Sequence, residues 1–491
     1  MKYISTRAAS PAVSGAEAVV NGIAPDGGLY VPEFFPSITA EEIEALAELS
    51  YPKRAARILA KFFSEFSEDE LAEFTEKAYG KFDGDPCPVV KTEDGLYFLE
   101  LTHGPTLAFK DMALELLPYL MVASKEKLKK EGKTLILVAT SGDTGKAALE
   151  GFKDVPGTEV IVFYPDDGVS SMQKLQMTSQ EGKNVHVGAI KGNFDDAQSA
   201  VKNIFGDAAA AEKLSAAGYS LSSANSINWG RLVPQIVYYI SAYADLADSG
   251  EITVGEKVNF AVPTGNFGNI LAGYYARRMG LPIDNLICAS NANRILADFF
   301  DTGKYDTNRG FYKTMSPSMD ILISSNLERL LFELFKRNGK AVASLMSELK
   351  ANGEYEVKES VFKNLGLISG WADEEDTGAA MSGFFESNGY TLDPHTAVAV
   401  SVYSDYYDAS GDETPTVVVS TASPFKFPQD VYEALSGFRV IDPFKAAGKL
   451  ATFTGDEVPE AITGLKNARI LHNTVIEKED IKDAVFGFLG L

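Results

Sequence analysis

A continuous apolar run passes directly into a glycine-bearing loop in the stretch Leu135-Ile136-Leu137-Val138-Ala139-Thr140-Ser141-Gly142-Asp143-Thr144-Gly145. The run shows no polar alternation, which is typical of a strand covered on both faces in a parallel sheet. A helix is predicted from Lys146 onward, so the stretch forms a strand–loop–helix unit. Such a loop presents backbone N–H groups and hydroxyls at a helix start, which suits a carboxylate or a phosphate.

The loop has two other possible interpretations. A P-loop needs a glycine where Thr140 stands, and a Ser or Thr where Ala147 follows Lys146, so this interpretation is excluded. A plain βα turn that uses glycine for tightness stays open when the loop is taken alone.

Short apolar runs elsewhere repeat the strand pattern. The predicted strands are Thr134–Ala139, Val160–Tyr164, Val185–Ile190, Val258–Val262, Leu286–Ala289 and Thr416–Ser420. Helical stretches alternate with them, which predicts right-handed βαβ units and doubly wound, mostly parallel sheets. The fold class is therefore α/β.

The N-terminal region has a helical sequence pattern, unlike the alternating strands and helices that follow. Thr39-x-x-Glu42 and Ser67-x-x-Glu70 are capping-box patterns, each followed by apolar residues at helical spacing. We expect a mainly helical domain at 1–92, a smaller α/β domain at 93–250 that holds the loop after Ala139, and a larger α/β domain at 251–491. Chain crossovers between the last two are expected.

Composition limits the classes of partner and location. The 491 residues carry a net charge of −23, which disfavours nucleic acid and anionic membranes as partners. Two cysteines, Cys87 and Cys288, and no apolar run of membrane length indicate a reduced, cytoplasmic setting. The four histidines lack zinc-like spacing, so a metal site is not expected. No G-x-S-x-G elbow occurs, which argues against a serine hydrolase.

A second glycine loop follows the predicted strand Val258–Val262. It reads Thr264-Gly265-Asn266-Phe267-Gly268-Asn269 and leads into a helix. Its glycines let the backbone approach an oxyanion closely, and its asparagines add donors. A dinucleotide fingerprint would need G-x-G-x-x-G, so NAD and FAD are disfavoured. The loop alone is a moderate indication of a bound phosphate.

Lys110 lies in an apolar hinge, Thr106-Leu107-Ala108-Phe109-Lys110-Asp111. Burial disfavours the ammonium form, so this lysine is expected to reach the neutral form near physiological pH. Neutral amines form Schiff bases with aldehydes, while glycine-rich helix starts bind phosphates. Pyridoxal phosphate is the reagent that needs both.

Two further segments carry polar groups that suit a ligand. Ser222–Arg231 concentrates hydroxyls, amides and one arginine in an acidic protein, and Arg231 suits a planar oxyanion. A solvated surface arginine is the alternative. Thr421 follows the strand Thr416–Ser420 and could hydrogen-bond a heterocyclic nitrogen; taken singly, it is also consistent with a strand-end turn.

The order of these elements resembles the tryptophan-synthase-β type (fold type II) of pyridoxal-phosphate enzymes, and within it the threonine synthases of the long bacterial and fungal branch. The motifs that carry the resemblance are Asn21–Pro32, Phe109-Lys110-Asp111, Ala139–Gly145, Ser226-Ile227-Asn228, Gly265–Asn269 and Thr421–Lys426. The resemblance runs from near residue 1 to about residue 430. It implies two sheets of that type with an added helical N-terminal domain.

The resemblance also implies roles for residues. Lys110 would be the Schiff-base lysine and the base, and Thr421 would face the pyridine nitrogen. The residues implied to surround the cofactor phosphate are Gly265, Asn266, Phe267, Gly268 and Asn269. The residues implied to hold the substrate are Ser141 and Thr144 for its carboxylate, Ser226 and Arg231, with Asn266 nearby, for its phosphate, and Asn228 as a further substrate-binding residue. Asp143 stands where many relatives carry Asn, and its role stays open.

The implied reaction converts O-phospho-L-homoserine and water into L-threonine and phosphate, the last step of threonine biosynthesis, in a monomer or small homo-oligomer. Two alternatives remain open. Another fold type II enzyme, such as a serine or threonine dehydratase or a β-replacement synthase, would share most of these loops. A non-catalytic phospho-ligand binding protein could use the same helix starts.

Overall fold

The computed structural model describes residues 1–192 and 194–491. The strands are β1 (Lys2–Ser5), β2 (Val13–Ser14), β3 (Tyr30–Pro32), β4 (Val89–Glu93), β5 (Leu96–Glu100), β6 (Lys133–Ala139), β7 (Thr158–Pro165), β8 (Val185–Lys191), β9 (Tyr219–Ser222), β10 (Val258–Pro263), β11 (Ile283–Ser290), β12 (Lys304–Asp306), β13 (Glu354–Glu356), β14 (Leu367–Trp371), β15 (Thr416–Ser420) and β16 (Thr474–Glu477).

The helices of the first half are α1 (Gly15–Asn21), α2 (Ala40–Ala47), α3 (Tyr51–Ala60), α4 (Glu68–Tyr79), α5 (Asp111–Leu114), α6 (Leu117–Lys127), α7 (Asp143–Gly151), α8 (Ser171–Thr178), α9 (Phe194–Gly206), α10 (Ala208–Ala216) and α11 (Trp229–Asp248). Those of the second half are α12 (Gly268–Met279), α13 (Ile295–Thr302), α14 (Leu327–Leu334), α15 (Gly339–Asn352), α16 (Glu374–Asn388), α17 (Pro394–Ser410), α18 (Pro428–Ser436), α19 (Pro443–Thr454), α20 (Glu460–Thr463) and α21 (Ile481–Leu489). Short 3₁₀ turns include Pro317–Met319 and Pro424–Lys426.

Two sheets carry the architecture. The five-stranded sheet has the order β16-β8-β7-β6-β9 and is parallel throughout. The six-stranded sheet has the order β14-β11-β10-β15-β5-β4; β4 pairs antiparallel with β5, and the other neighbours are parallel. Every strand predicted from sequence falls within one of these, which confirms the α/β class with two mostly parallel sheets.

The chain crosses between the two sheets. Strand β5 precedes all strands of the five-stranded sheet in sequence yet pairs with β15, and β16 returns from the C-terminal end to pair with β8. The borders at 92 and 250 stay predictions, because each expected α/β range contains a strand of the other sheet.

The N-terminal region joins helices α1–α4 to the small antiparallel sheet β2-β1-β3. Both predicted capping boxes are present: Thr39 with Glu42 starts α2, and Ser67 with Glu70 starts α4. In each, the hydroxyl accepts the backbone N–H of the glutamate, whose carboxylate accepts the N–H of the cap residue.

Helix α11 attaches this region to the rest of the molecule. It is 20 residues long and apolar on nearly all sides, which is the pattern of a helix enclosed by others. At its start the buried ring of Trp229 packs against Tyr3, Phe62 and Tyr275. The first turn of α11, which carries Arg231, is thereby held by packing on several sides.

Candidate active site

A cavity lies at the carboxyl ends of β10 and β15 and beside the first turn of α7. It is lined by Lys110, by Thr144 of α7, by the loop 263–269 after β10, and by Thr421 after β15. Parallel strands place their carboxyl ends at one edge of a sheet, so loops distant in sequence converge there.

Most of the predicted site residues meet in this cavity. Those that line it are Lys110, Thr144, Ser226, Arg231, Gly265, Asn266, Phe267, Gly268, Asn269 and Thr421. The lining does not include Ser141 or Asn228. The Asn228 amide donates to the carbonyls of Val19 and Ser223, and its oxygen caps α11 through the N–H of Gly230. These contacts hold the loop before Arg231, and a direct substrate contact by Asn228 stays a prediction.

Lys110 lies at the start of α5, with 11% of its side chain exposed. Burial lowers the pKa of Lys110 to about 8, although the carboxylate of Asp143, 3.8 Å from Nζ, acts in the opposite direction. The direction agrees with the sequence-based expectation. At this pKa about a tenth of the amine is neutral near pH 7, so both protonation states are accessible.

The turn around Lys110 is fixed from two sides. Asp111 is buried and accepts hydrogen bonds from the backbone N–H and the hydroxyl of Thr106. The N–H of Phe109 donates to the carbonyl of Thr421 at 2.9 Å, and Ala108 bridges Ala422. The lysine-bearing turn and the strand-end turn at Thr421 therefore form one rigid unit.

Asp143 is an ionised carboxylate in the buried wall. Burial alone would raise its pKa, but the ammonium groups of Lys426 and Lys110 outweigh that effect and hold the pKa well below its usual range. Gln173 Nε2 and Ser318 Oγ donate to its two oxygens at 2.8 and 2.9 Å. The negative charge of this carboxylate is therefore offset by the cations around it.

The loop after β10 has the geometry of an oxyanion cradle. A Cβ at Gly265 would lie 3.1 Å from the carbonyl oxygen of Ser318, and one at Gly268 would lie 3.3 Å from Asn326 Nδ2. Phe267 adopts φ 63°, the left-handed conformation that turns the chain into α12. The first N–H groups of that helix have no intrahelical acceptor, so they are available to an anion.

One orphaned donor supports the same conclusion. The Oδ1 atom of Asn269 accepts the hydroxyls of Tyr238 and Tyr239, which fixes the amide, while its Nδ2 is buried without a hydrogen-bond partner in the described residues. A buried donor without an acceptor is costly, and a phosphate oxygen would satisfy it. The residues present thus fit a pyridoxal phosphate group, because the start of α12 suits a phosphate and Lys110 supplies an amine suited to an aldehyde.

Arg231 is a second candidate group for binding an anion in the same cavity. It is 2% exposed, which rules out the solvated surface alternative. Its Nη1 donates to the carbonyl of Ala224 at 2.6 Å, and its Nε has no partner among residues 1–192 and 194–491. Burial lowers the pKa of Arg231 to about 10, so the guanidinium remains charged at neutral pH. Ser226 lies in the same lining.

Several residues of the site escaped sequence reasoning. Ser318 and Met319 reach the cavity from a long connection after β12 that has no regular pattern. His395 also lines it: its Nε2 accepts the N–H of Ser318 at 3.2 Å, so Nδ1 carries the proton donated to Asp393 at 2.8 Å. The order Asp393-Pro394-His395 is typical of a helix start, and this pattern could have located His395 from sequence. Counting histidines for metal spacing alone missed it.

Two searches of the described residues bear on metals and membranes. Within residues 1–192 and 194–491, His, Cys, Asp and Glu side chains form no group of three or more suited to a metal ion. Over the same residues, no helix combines the length and apolar character needed to cross a bilayer.

Comparison with known proteins agrees with this geometry. Residues 2–79 match the family model "Threonine synthase N terminus", residues 86–352 match "Pyridoxal-phosphate dependent enzyme", and residues 396–484 match "Threonine synthase, C-terminal". The threonine synthase of Pseudomonas aeruginosa is 41% identical over 444 residues, covering 88% of this chain and 90% of that protein.

Solved structures give the same result. The threonine synthase of Brucella melitensis, described as bound to pyridoxal phosphate, has a TM-score of 0.86 at 39% identity, with 99% of this chain and 98% of that chain covered. The yeast threonine synthase has a TM-score of 0.87 at 34% identity, covering 100% and 99%.

A lysine in a cavity beside a helix-start phosphate cradle, on mostly parallel sheets, defines a pyridoxal-phosphate-dependent enzyme of the α/β class. Within that class, the chain belongs to the threonine synthase family. The predicted resemblance, fold type and cofactor, pyridoxal 5'-phosphate, are thereby confirmed.

Proposed function

We propose that this protein catalyses the conversion of O-phospho-L-homoserine and water into L-threonine and phosphate, as a carbon–oxygen lyase acting on phosphates. The observation that carries the proposal is a pair of separate anion sites beside one lysine. The start of α12 suits the phosphate of the cofactor, and the buried guanidinium of Arg231 suits the phosphate of the substrate. A dehydratase acting on an unphosphorylated amino acid has no use for the second site.

The cofactor is assigned to three groups of this chain. Lys110 would bond to its aldehyde carbon, the loop 265–269 and the N–H groups of α12 would hold its phosphate, and Thr421 would face its ring nitrogen. When bound, pyridoxal phosphate draws electron density from the carbon that bears the substrate's amino group. The neutral hydroxyl of Thr421 at the ring nitrogen would leave that nitrogen unprotonated.

The substrate is assigned to the opposite wall. Ser141 and Thr144, at the start of α7, hold its carboxylate, where the helix dipole favours a negative charge. Ser226 and Arg231 hold its phosphate, and Asn228 orients the loop between them. The guanidinium stabilises charge on the phosphate as it leaves Cγ, in a wall from which water is excluded.

Lys110 moves the protons. Once the amino group of the substrate has replaced it, the freed neutral amine of Lys110 removes the proton from Cα, and a second proton is lost from Cβ as phosphate leaves Cγ. Protonation at Cγ, addition of water at Cβ and return of a proton to Cα then give threonine. The pKa of about 8 suits a group that must both accept and give a proton near neutral pH.

The direct test is turnover. Purified protein supplied with pyridoxal phosphate and O-phospho-L-homoserine should release phosphate and threonine in equal amounts. Keto acid made from L-serine or L-threonine, with the phosphorylated substrate left intact, would identify a dehydratase. Binding of phosphohomoserine without turnover would identify a non-catalytic binding protein. A cytoplasmic location and a monomeric or small homo-oligomeric state stay predictions, as does the absence of nucleic-acid and membrane partners.

A further inference from the structure

Two buried ammonium groups share the carboxylate of Asp143. Lys426 Nζ lies 2.6 Å from Oδ1, and Lys110 Nζ lies 3.8 Å from Oδ2. The side chain of Lys426 is fully buried and that of Asp143 is 2% exposed. Neither Lys426 nor this pairing belongs to the roles assigned above.

Lys426 is fixed where it stands. Its Nζ also donates to the carbonyl of Thr106 at 2.8 Å. It ends the 3₁₀ turn Pro424–Lys426, and the preceding N–H of Ser423 donates to the carbonyl of Leu107. The ammonium is therefore held beside Asp143 by contacts to the same unit that carries Lys110.

The pairing changes the charge that Lys110 faces. An uncompensated carboxylate 3.8 Å away would strongly favour the ammonium form of Lys110, because attraction between charges is strong in a buried wall. The ion pair of Asp143 with Lys426 carries no net charge, so this bias is reduced. Arg231 faces the lysine as a further cation and Asp111 as a further acid, and the imidazole of His395 lines the same cavity.

We propose that Lys426 is a positioning residue that neutralises Asp143. Lys110 can then release and regain its proton during the reaction without leaving the buried carboxylate of Asp143 unpaired. Asp143 then acts as an oriented pair of acceptor oxygens between two lysines. This inference rests on the assignment of Lys110 as the reactive amine.

The test measures the protonation of Lys110 in the protein without cofactor. Trace labelling with acetic anhydride from about pH 6 to about pH 10, quantified by mass spectrometry of the peptide that contains Lys110, gives the midpoint for its amine. Lys426→Met should raise this midpoint by about one unit, which means about tenfold less neutral amine near pH 7. Asp143→Asn should lower the midpoint, because Lys426 then acts unopposed.

The two variants should shift the labelling midpoint of Lys110 in opposite directions. A merely structural role of Lys426 and Asp143 would shift both midpoints in the same direction. Lys426→Arg keeps the charge and should keep the wild-type midpoint. Should Lys426→Met fail to fold by circular dichroism, the double variant with Asp143→Asn, which lacks both charges, replaces it and should label with a midpoint above that of Asp143→Asn alone. An unchanged or lowered midpoint in Lys426→Met, or an unchanged one in Asp143→Asn, overturns the proposal. These outcomes need neither cofactor nor substrate, so they are distinct from failure of phosphate release.

Discussion

The guanidinium of Arg231 is fixed by the carbonyl of Ala224, to which Nη1 donates at 2.6 Å in a buried hydrogen bond. In the part of the chain that the structure describes, no carboxylate pairs with this arginine. Taking an unpaired cation out of water costs several kcal/mol, so the fold maintains Arg231 at the expense of its own stability. Such an arrangement is expected where an anionic ligand completes the pairing.

Replacing Arg231 by Met should lower kcat/KM for phosphohomoserine by about 100-fold or more, because the leaving phosphate loses a buried charged partner. The free energy of unfolding should stay level or rise, since the desolvated charge is removed. Phosphate release and urea denaturation measure the two effects. Arg57→Met, in α3 with 44% of the arginine side chain exposed, is the matched control and should retain full activity. Equal kcat/KM in both variants would remove Arg231 from the substrate site.

Asn326 connects the two anion sites. Its Nδ2 donates to Ser226 Oγ at 3.0 Å and to the carbonyl of Asn266 at 3.1 Å. Asn326→Ala should therefore raise both KM for phosphohomoserine and Kd for pyridoxal phosphate, each by about tenfold. Ser324→Ala is the matched control, because Ser324 Oγ donates to the carbonyl of Gly265 without contacting Ser226. Ser324→Ala should raise the Kd for pyridoxal phosphate and leave the KM for phosphohomoserine unchanged. A normal Kd and KM in Asn326→Ala would show that the two loops are independent.

Thr421 tests the environment of the ring nitrogen. The backbone of this residue is fixed by Phe109 and Thr396, so a change of side chain should leave the turn in place. Thr421→Val removes the hydroxyl at nearly constant volume and should lower kcat by about tenfold while shifting the absorbance of the bound cofactor. Thr421→Ser keeps the hydroxyl and should resemble the wild type. Identical absorbance spectra of the bound cofactor in Thr421→Val and Thr421→Ser would show that the Thr421 hydroxyl does not contact the cofactor ring.

Glu115 makes stability depend on pH. Burial raises the pKa of Glu115 to about 7, although Lys81 Nζ lies 2.6 Å from one of its oxygens. The folded state therefore holds this proton more tightly than the unfolded state. Stability contributed by the neutral form is present below about pH 4 and is lost as pH rises through about 7.

Glu115→Gln should flatten this decline, and the difference between variant and wild type should reach a few kcal/mol at most between about pH 4 and about pH 8. Urea denaturation at several pH values measures it. Glu73→Gln is the control, since the Glu73 side chain is 61% exposed and paired with Lys77. A Glu115→Gln curve parallel to the wild type would contradict the raised pKa.

Sequence patterns predicted the parts of the site that depend on local chemistry. The apolar runs before Thr140 and Thr264 have the composition of buried parallel strands, and both form strands that end in the expected loops. The apolar neighbours of Lys110 indicated its burial. These features need a window of a few residues, so periodicity and glycine placement are enough to find them.

Contacts made across long distances in sequence were not predictable. Lys426 was part of a quoted motif, but its ion pair with Asp143 joins residues that no local pattern relates. Ser318 reaches Asp143 from an irregular connection. Placing β5 beside β15 depends on global packing of the sheets, which is why the expected range 93–250 includes a strand of the other sheet.

The covalent bond between Lys110 and the cofactor is the central claim, and borohydride reduction tests it most directly. Protein incubated with pyridoxal phosphate, reduced, digested and mapped by mass spectrometry should carry the pyridoxyl group on the peptide that contains Phe109-Lys110-Asp111. Lys110→Ala should carry none and should release no phosphate from phosphohomoserine. A label found on a different lysine, or no label in the wild-type protein, would contradict the account.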